Sequence, residues 1–158
     1  MSDNLNLINI TSGKPLYKAR NIDNLKDMIA QSSRLYSNKI AFKFRHDPQS
    51  SVETVTYEVF AKDVDAIGTS FMDIGLKGKR IAIIGENRYE WVVSYLATIN
   101  GTGIAVPLDR MLPPNEIELM LIRGEVDALV YSQAFHDTVK KIAAKNDRIS
   151  QYICMNPS

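Results

Sequence analysis

Gly85-Glu86-Asn87-Arg88 follows a short apolar run, Ile81 to Ile84, and Asp109-Arg110 follows a second, Ile104 to Val106, stopped by Pro107. A carboxylate, an amide and a guanidinium placed in turns can hydrogen-bond, neutralise or orient a small polar ligand. In open α/β sheets ligands sit outside the carboxyl ends of strands. Glu86, Asn87, Arg88, Asp109 and Arg110 are therefore the candidate cofactor- or ligand-binding positions. The same residues also read simply as a helix cap and a solvated turn. The turn has no G-x-G-x-x-G run and no G-x-x-x-x-G-K-[ST] run, so neither a dinucleotide fingerprint nor a Walker A loop is present.

Other reactive residue types do not assemble into a catalytic set. His46 lies in a polar loop and His136 at a helix start, and neither has a Cys or second His at metal-ligand spacing. Both are expected on the surface. Ser132 follows a strand but lacks G-x-S-x-G, so it is expected to cap a helix. Cys154 sits in an apolar strand and is expected to pack there. Lys140, Lys141 and Lys145 gather near a helix C-terminus, where cations are favoured, with phosphate contact as the alternative. No catalytic residue and no metal ligand is assigned.

These positions need a frame of alternating elements. The run Ile81–Ile84 reads as a strand buried on both faces. Asn87 is placed to cap the following helix, with Glu90 three residues on, in the manner of a capping box. Trp91, Val92, Val93, Tyr95, Leu96 and Ile99 make that helix apolar on most sides, so it should be covered. Asn100-Gly101-Thr102-Gly103 ends it. Strand, helix and strand of these lengths imply a right-handed crossover and a parallel sheet.

Earlier in the chain, Asp23 can cap a helix reaching Tyr36. Residues 40–45 and 52–56 then alternate around the polar loop 46–51, predicting an antiparallel hairpin. Thr56 can cap a second helix, with Glu58 in its first turn and Phe60, Val64, Ile67, Phe71 and Ile74 along one face, ended by Gly75 and Gly78. After Asp109, Pro113-Pro114 starts a helix, Ala128–Tyr131 is a strand, Ser132 opens a helix with Phe135, Val139 and Ile142 on one face, and residues 151–155 form a last strand. The fold class is α/β: a doubly wound, mostly parallel sheet with flanking helices and an N-terminal antiparallel hairpin. Residues 1–22 are expected to be an arm that docks on its own domain or on a neighbour, and residues 23–158 a single unit.

The bulk numbers agree with such a domain. The 158 residues are 45% hydrophobic and 23% charged, with a formal net charge of +1. That charge supplies no field toward nucleic acid. One cysteine excludes a disulfide within the chain, and no apolar run approaches a membrane span. The expected location is cytoplasmic.

Ordered pieces of sequence then carry a resemblance. Thr56-Tyr57-Glu58, followed by Ile74-Gly75-Leu76-Lys77-Gly78-Lys79-Arg80-Ile81-Ala82, resembles the "TYxEL…LGVKKGDRVAI" run of the adenylate-forming enzymes. Gly85-Glu86-Asn87-Arg88-Tyr89-Glu90-Trp91 is similar to the "GENRPEW" form of long-chain acyl-CoA synthetases. Tyr95-Leu96-Ala97 and then Gly101 to Asp109 resemble their "YLA…GAVVVPLD". Pro113 to Ile117, followed by Val126 to Val130, matches the next helix and strand. The resemblance covers about residues 20–155.

What it implies is a long-chain fatty-acid–CoA ligase of the AMP-forming type. Such an enzyme uses ATP and magnesium to make an acyl-adenylate with release of pyrophosphate, and the thiol of CoA then takes the acyl group. The family's phosphate loop ending in P-K-G, its Tyr-Gly-x-Thr-Glu run, its ribose-binding Asp and its C-terminal Lys have no counterpart here. No catalytic position can be carried over. The expectation is an N-terminal subdomain of the AMP-binding domain, stopping before the phosphate loop and inactive alone. It is either cut from a longer protein or encoded as a shortened product. No cofactor is expected for the piece, while ATP, Mg and CoA are expected for the parent. Its partners would be the remainder of the synthetase and, in the parent, fatty acid and CoA, with peripheral membrane contact of the parent and self-association of the piece, including exchange of the arm. The alternatives are a non-enzymatic binding or assembly module, and a small-molecule binder using the strand ends.

Overall fold

The computed structural model describes Tyr17 and residues 19–156. Most of the expected arm, residues 1–22, lies outside the described residues. Helix α1 spans Leu25–Tyr36, strands β1 and β2 span Ile40–Phe44 and Glu53–Thr56, and helix α2 spans Tyr57–Asp73. Then come β3 (Arg80–Ile84), α3 (Tyr89–Ala97), β4 (Ile104–Pro107), α4 (Pro114–Arg123), β5 (Ala128–Tyr131), α5 (His136–Ala143) and β6 (Gln151–Cys154).

Strands β3 to β6 form one parallel sheet in the order β4-β3-β5-β6. The antiparallel pair β1–β2 forms a separate two-stranded sheet. Alternation along the strands sorts the core into two faces. Ala82, Ile84, Leu129 and Tyr131 pack under Ile117 and Leu121 of α4 and Val139 and Ile142 of α5. Ile81, Ile83, Ala128 and Val130 face Phe71 of α2 and the half-buried Trp91 and Tyr95 of α3. Helices on both faces make the sheet doubly wound, as its sequence pattern requires. A third cluster joins α1, α2, α3 and the hairpin through Ile29, Phe60, Val64, Val93 and Leu96, with Phe42 against it.

The local signals place most element ends. Thr56 caps α2, its hydroxyl accepting from the Val59 N–H. Three expected caps differ. Asn24, one residue after Asp23, caps α1 by accepting from the Asp27 N–H, and Asp27 in return accepts from the Asp23 N–H. Helix α3 starts at Tyr89 with Arg88 as its cap residue and no side-chain cap bond, so Asn87 stands outside the helix. Ser132 opens a short 3-10 turn, Gln133–Phe135, again without a side-chain cap bond. Ile74 is exposed, because α2 ends one residue before it.

The connection from α3 to β4 is a single π turn, Thr98–Thr102, closed by Gly101 at φ 131°. Thr98 and Thr102 are buried there, Thr98 donating to the Ser94 carbonyl and Thr102 to the Gly68 carbonyl. This turn delivers the chain to β4 in register with Arg80 and Ile81 of β3. It thereby sets where the carboxyl ends of the two strands lie.

Candidate functional site

The strand order creates the site. From β3 the chain moves to one side, to β4, and then returns across β3 to β5 on the other side. The connections leaving β3 and β5 diverge, and a crevice opens between their carboxyl ends, where ligands enter folds of this type. It has a volume of about 390 Å³ and is bordered by Glu86 and Arg88 after β3, Gln133 after β5 and Asn156 after β6. Phe44 and His46 of the hairpin close its outer side. A neighbouring hollow of about 240 Å³ lies between the ends of β3 and β4 and is lined by Asn87, Trp91, Asp109 and Arg110. The structure thus gathers Glu86, Asn87 and Arg88 at the switch point and sets Asp109 and Arg110 in the adjoining hollow. Asn87 borders both.

Arg88 organises the crevice. Its Nε donates to Glu90 Oε2 at 2.8 Å and its Nη1 donates to Asn156 Oδ1 at 2.8 Å. The same Asn156 oxygen accepts from the Gln133 N–H at 3.0 Å. One amide oxygen therefore ties together the segments following β3, β5 and β6. The Glu90 hydrogen bond holds the Arg88 guanidinium more firmly protonated than usual. Burial alone would raise the Glu90 carboxyl, but the Arg88 hydrogen bond and charge outweigh it, and the carboxyl titrates below its ordinary value.

Glu86 is also lowered. The Ser132 hydroxyl beside it contributes most, against the opposing effect of burial, followed by its own backbone N–H and the guanidinium groups of Arg88 and Arg110. Ser132 is fully buried beside Gly85, and its hydroxyl makes no hydrogen bond of full geometry. Tyr89, the first residue of α3, donates to Asp63 Oδ2 at 2.6 Å and stacks on Phe44 with centroids 5.3 Å apart. Burial and the Asp63 partner push the Tyr89 hydroxyl well above its ordinary pKa.

This arrangement can hold a polar ligand, but it contains no nucleophile paired with a base. His46 Nε2 stands 3.2 Å from Glu53 Oε1, His136 stands 3.3 Å from the Tyr131 hydroxyl, and Cys154 meets Gln133 Oε1 at 3.4 Å. Among the described residues no group of three or more His, Cys, Asp or Glu side chains converges to hold a metal ion. Trp91 is half-buried and stacks on Tyr95 at 5.4 Å, so it belongs to the packing of α3. The sequence reading missed Gln133 and Asn156. The rule that exposed Glu86 and Asp109, a polar residue just past a parallel strand, also points to both of them once β5 and β6 are included.

The model of the AMP-binding enzyme family matches residues 29–157. The chain belongs to that family. The family expected from the GENRYEW run and its neighbours is therefore the one found. Fatty acyl-CoA synthetase A of Dictyostelium discoideum is 34% identical over 77 residues, which is 48% of this chain and 12% of that protein. The human mitochondrial medium-chain acyl-CoA ligase ACSF2 is 30% identical over 94 residues, 56% of this chain and 15% of that protein. The aligned stretches thus span only 12% and 15% of these relatives. In structure, the anthranilate CoA ligase AuaEII in complex with anthranoyl-AMP superimposes with a TM-score of 0.74 at 21% identity, over 89% of this chain and 25% of that one. The N-terminal domain of FACL13 from Mycobacterium tuberculosis gives 0.74 at 18% identity, over 84% of this chain and 34% of that one. These likenesses establish the fold.

An adenosine phosphate and magnesium are the groups that the family implies. The residues present do not fit them. Magnesium needs hard oxygen donors converging on one point, and the described carboxylates do not converge. Glu90 is engaged with Arg88. No P-K-G loop occurs in the sequence. No chemical step is therefore derived through either group. Among the described residues no helix is long and apolar enough to cross a membrane.

Proposed function

We propose that this chain is the N-terminal subdomain of the AMP-binding domain of an AMP-forming fatty-acid–CoA ligase, and that it has no catalytic activity by itself. The observation that supports this is the family match over residues 29–157 in a chain that aligns with 12% and 15% of its curated relatives and lacks the phosphate loop. In the parent reaction, a carboxylate and ATP would give an acyl-adenylate and pyrophosphate, and CoA would then give the thioester. Adenylation turns a poor leaving group into a good one. Stabilising the pyrophosphate needs concentrated positive charge and backbone donors, and those parts belong to the remainder of the synthetase. This chain would supply a wall of the substrate and CoA cleft, with Glu86, Asn87, Arg88, Asp109 and Arg110 on the surface that meets the remaining parts.

The test is carboxylate-dependent ATP–pyrophosphate exchange by the isolated chain with magnesium and palmitate. No exchange above a buffer control is expected. Robust exchange overturns the reading, because it would require an adenylation site within these 158 residues.

A further inference from the structure

The chain enters the described fold along α1, and its contacts fix the direction of entry. The Asp23 N–H donates to Asp27 Oδ2 at 3.2 Å. The Asn21 carbonyl accepts from Gln31 Nε2 at 2.8 Å. Arg20 donates to Ser32 Oγ at 3.4 Å, and its guanidinium carbon lies 5.7 Å from the centre of the Tyr36 ring. Each step toward the N-terminus meets a residue further along the helix. The segment before α1 therefore runs antiparallel to it, and the chain upstream of Arg20 sets out from the C-terminal end of α1.

Asp27, Gln31 and Leu35 recur at steps of four and so share one ridge of α1. The first two hold the entering segment, whereas Leu35 is 57% exposed. Tyr36, 38% exposed, and Ile40, 48% exposed, flank the turn 37–39 that ends the helix. The Lys39 N–H donates to the Tyr36 carbonyl at 2.7 Å and keeps that turn tight. An apolar ledge of Leu35, Tyr36 and Ile40 thus continues the track of the entering chain. It is built from α1 and β1 alone and takes nothing from the parallel sheet or its last strand.

The N-terminal arm holds residues of the matching type. Residues 4–13, Asn-Leu-Asn-Leu-Ile-Asn-Ile-Thr-Ser-Gly, carry no charge and bring Leu5, Leu7, Ile8 and Ile10 close together in sequence. The stretch from Ile10 to Arg20 can extend about 33 Å, more than the length of α1, about 18 Å. It also contains Gly13 and Pro15, residue types that turn a chain back. We propose that residues 5–10 seat on the ledge of their own chain, where Leu7, Ile8 and Ile10 cover Leu35, Tyr36 and Ile40. Removing apolar surface from water on both sides supplies the driving force. The arm is then a clasp over the corner where α1 turns into β1. This seat does not depend on the ligase reading, and its failure would leave that reading intact.

The experiment is hydrogen exchange of the intact chain at low and high concentration, with a peptide of residues 1–16 as the reference. We expect the amides of residues 5–10 to exchange at least tenfold more slowly in the chain than in the peptide, at a rate independent of concentration. Leu35→Asp should return them to the peptide rate. Ile8→Asp, a change in the arm itself, should do the same without touching the ledge. Ile122→Asp, at an exposed apolar position on the far side of α4, should leave the protection unchanged, and a cooperative melt checks that each variant folds. Exchange at the peptide rate in the unaltered chain overturns the proposal. Protection that survives Leu35→Asp and Ile8→Asp, or that Ile122→Asp removes as well, also overturns it. Protection that grows with concentration would seat the arm on a second copy and overturn the seat within one chain.

Discussion

Arg88 and Asn156 are 68 residues apart in the chain, and their side chains meet at 2.8 Å. Because the Gln133 N–H shares the same Asn156 oxygen, this contact fastens three of the four strand ends at the crevice. Arg88 is well covered, its side chain 17% exposed, so the pair is screened less than a surface pair would be.

Asn156→Ala should therefore destabilise the chain by about 1–3 kcal/mol, the range for losing hydrogen bonds to a charged group. A thermal melt should fall by several degrees, on the order of 2–4 °C per kcal/mol at this size. Arg148→Ala is the control. That guanidinium is about half exposed and 3.4 Å from Asp127, so its loss should be nearly neutral. Equal melts for Asn156→Ala and the parent chain would refute the fastening role.

Acid should loosen the same corner. Glu86 and Glu90 both titrate below their ordinary value in the folded chain. The unfolded chain then binds more protons than the folded one at mildly acidic pH, so stability rises with pH in that window. The contribution is complete above the ordinary carboxylate pKa, about 4.3, and is lost as the pH falls through the lowered folded values. Urea midpoints between pH 7 and pH 3 should decline in the lower half of that range. Glu90→Gln should flatten the decline, and an unchanged slope would count against the account.

Core positions behave differently from the faces above them. Leu129 is fully buried in β5 between α4 and α5, so Leu129→Ala should cost about 2–5 kcal/mol. Ile122 on the outer side of α4 is 55% exposed, and Ile122→Ala should change stability by less than about 0.5 kcal/mol. Urea unfolding of the two variants measures the contrast.

The layered sheet was legible because its signals are periodic and dense. Continuous apolar runs marked β3 and β5, four-and-three spacing marked α2, and turn residues separated them. The helix caps were harder. Asn87 looked like a cap because an Asn with a Glu three residues on satisfies the local pattern. In the structure α3 starts at Tyr89, its cap residue Arg88 is held by Glu90 and by the distant Asn156, and no local window contains Asn156. Glu86 was visible in the sequence because it ends an apolar run. Ser132, close by, was expected as a cap because nothing local records that it is fully buried beside Gly85.

Gly103 gives the sharpest test of the backbone. Its φ of −167° is ordinary extended geometry, so any residue could adopt the conformation. The restriction is space: a Cβ there would overlap the Lys79 carbonyl oxygen. That carbonyl accepts from the Ile104 N–H at 2.9 Å, and the Gly78 N–H donates to the Thr102 carbonyl nearby. Backbone is therefore pressed on backbone where β4 enters its register with β3, and no side chain can swing aside to make room. Gly103→Ala must separate the two strands at their start and should cost more than about 3 kcal/mol, beyond the usual range for a single substitution. Gly75→Ala is the comparison. Its φ is +83° with nothing within 4 Å, so only the left-handed conformation is penalised, by about 1 kcal/mol. Melting both variants separates crowding from conformational strain. If Gly103→Ala unfolds no earlier than Gly75→Ala, the close approach of β4 to the Lys79 carbonyl is not what fixes the register.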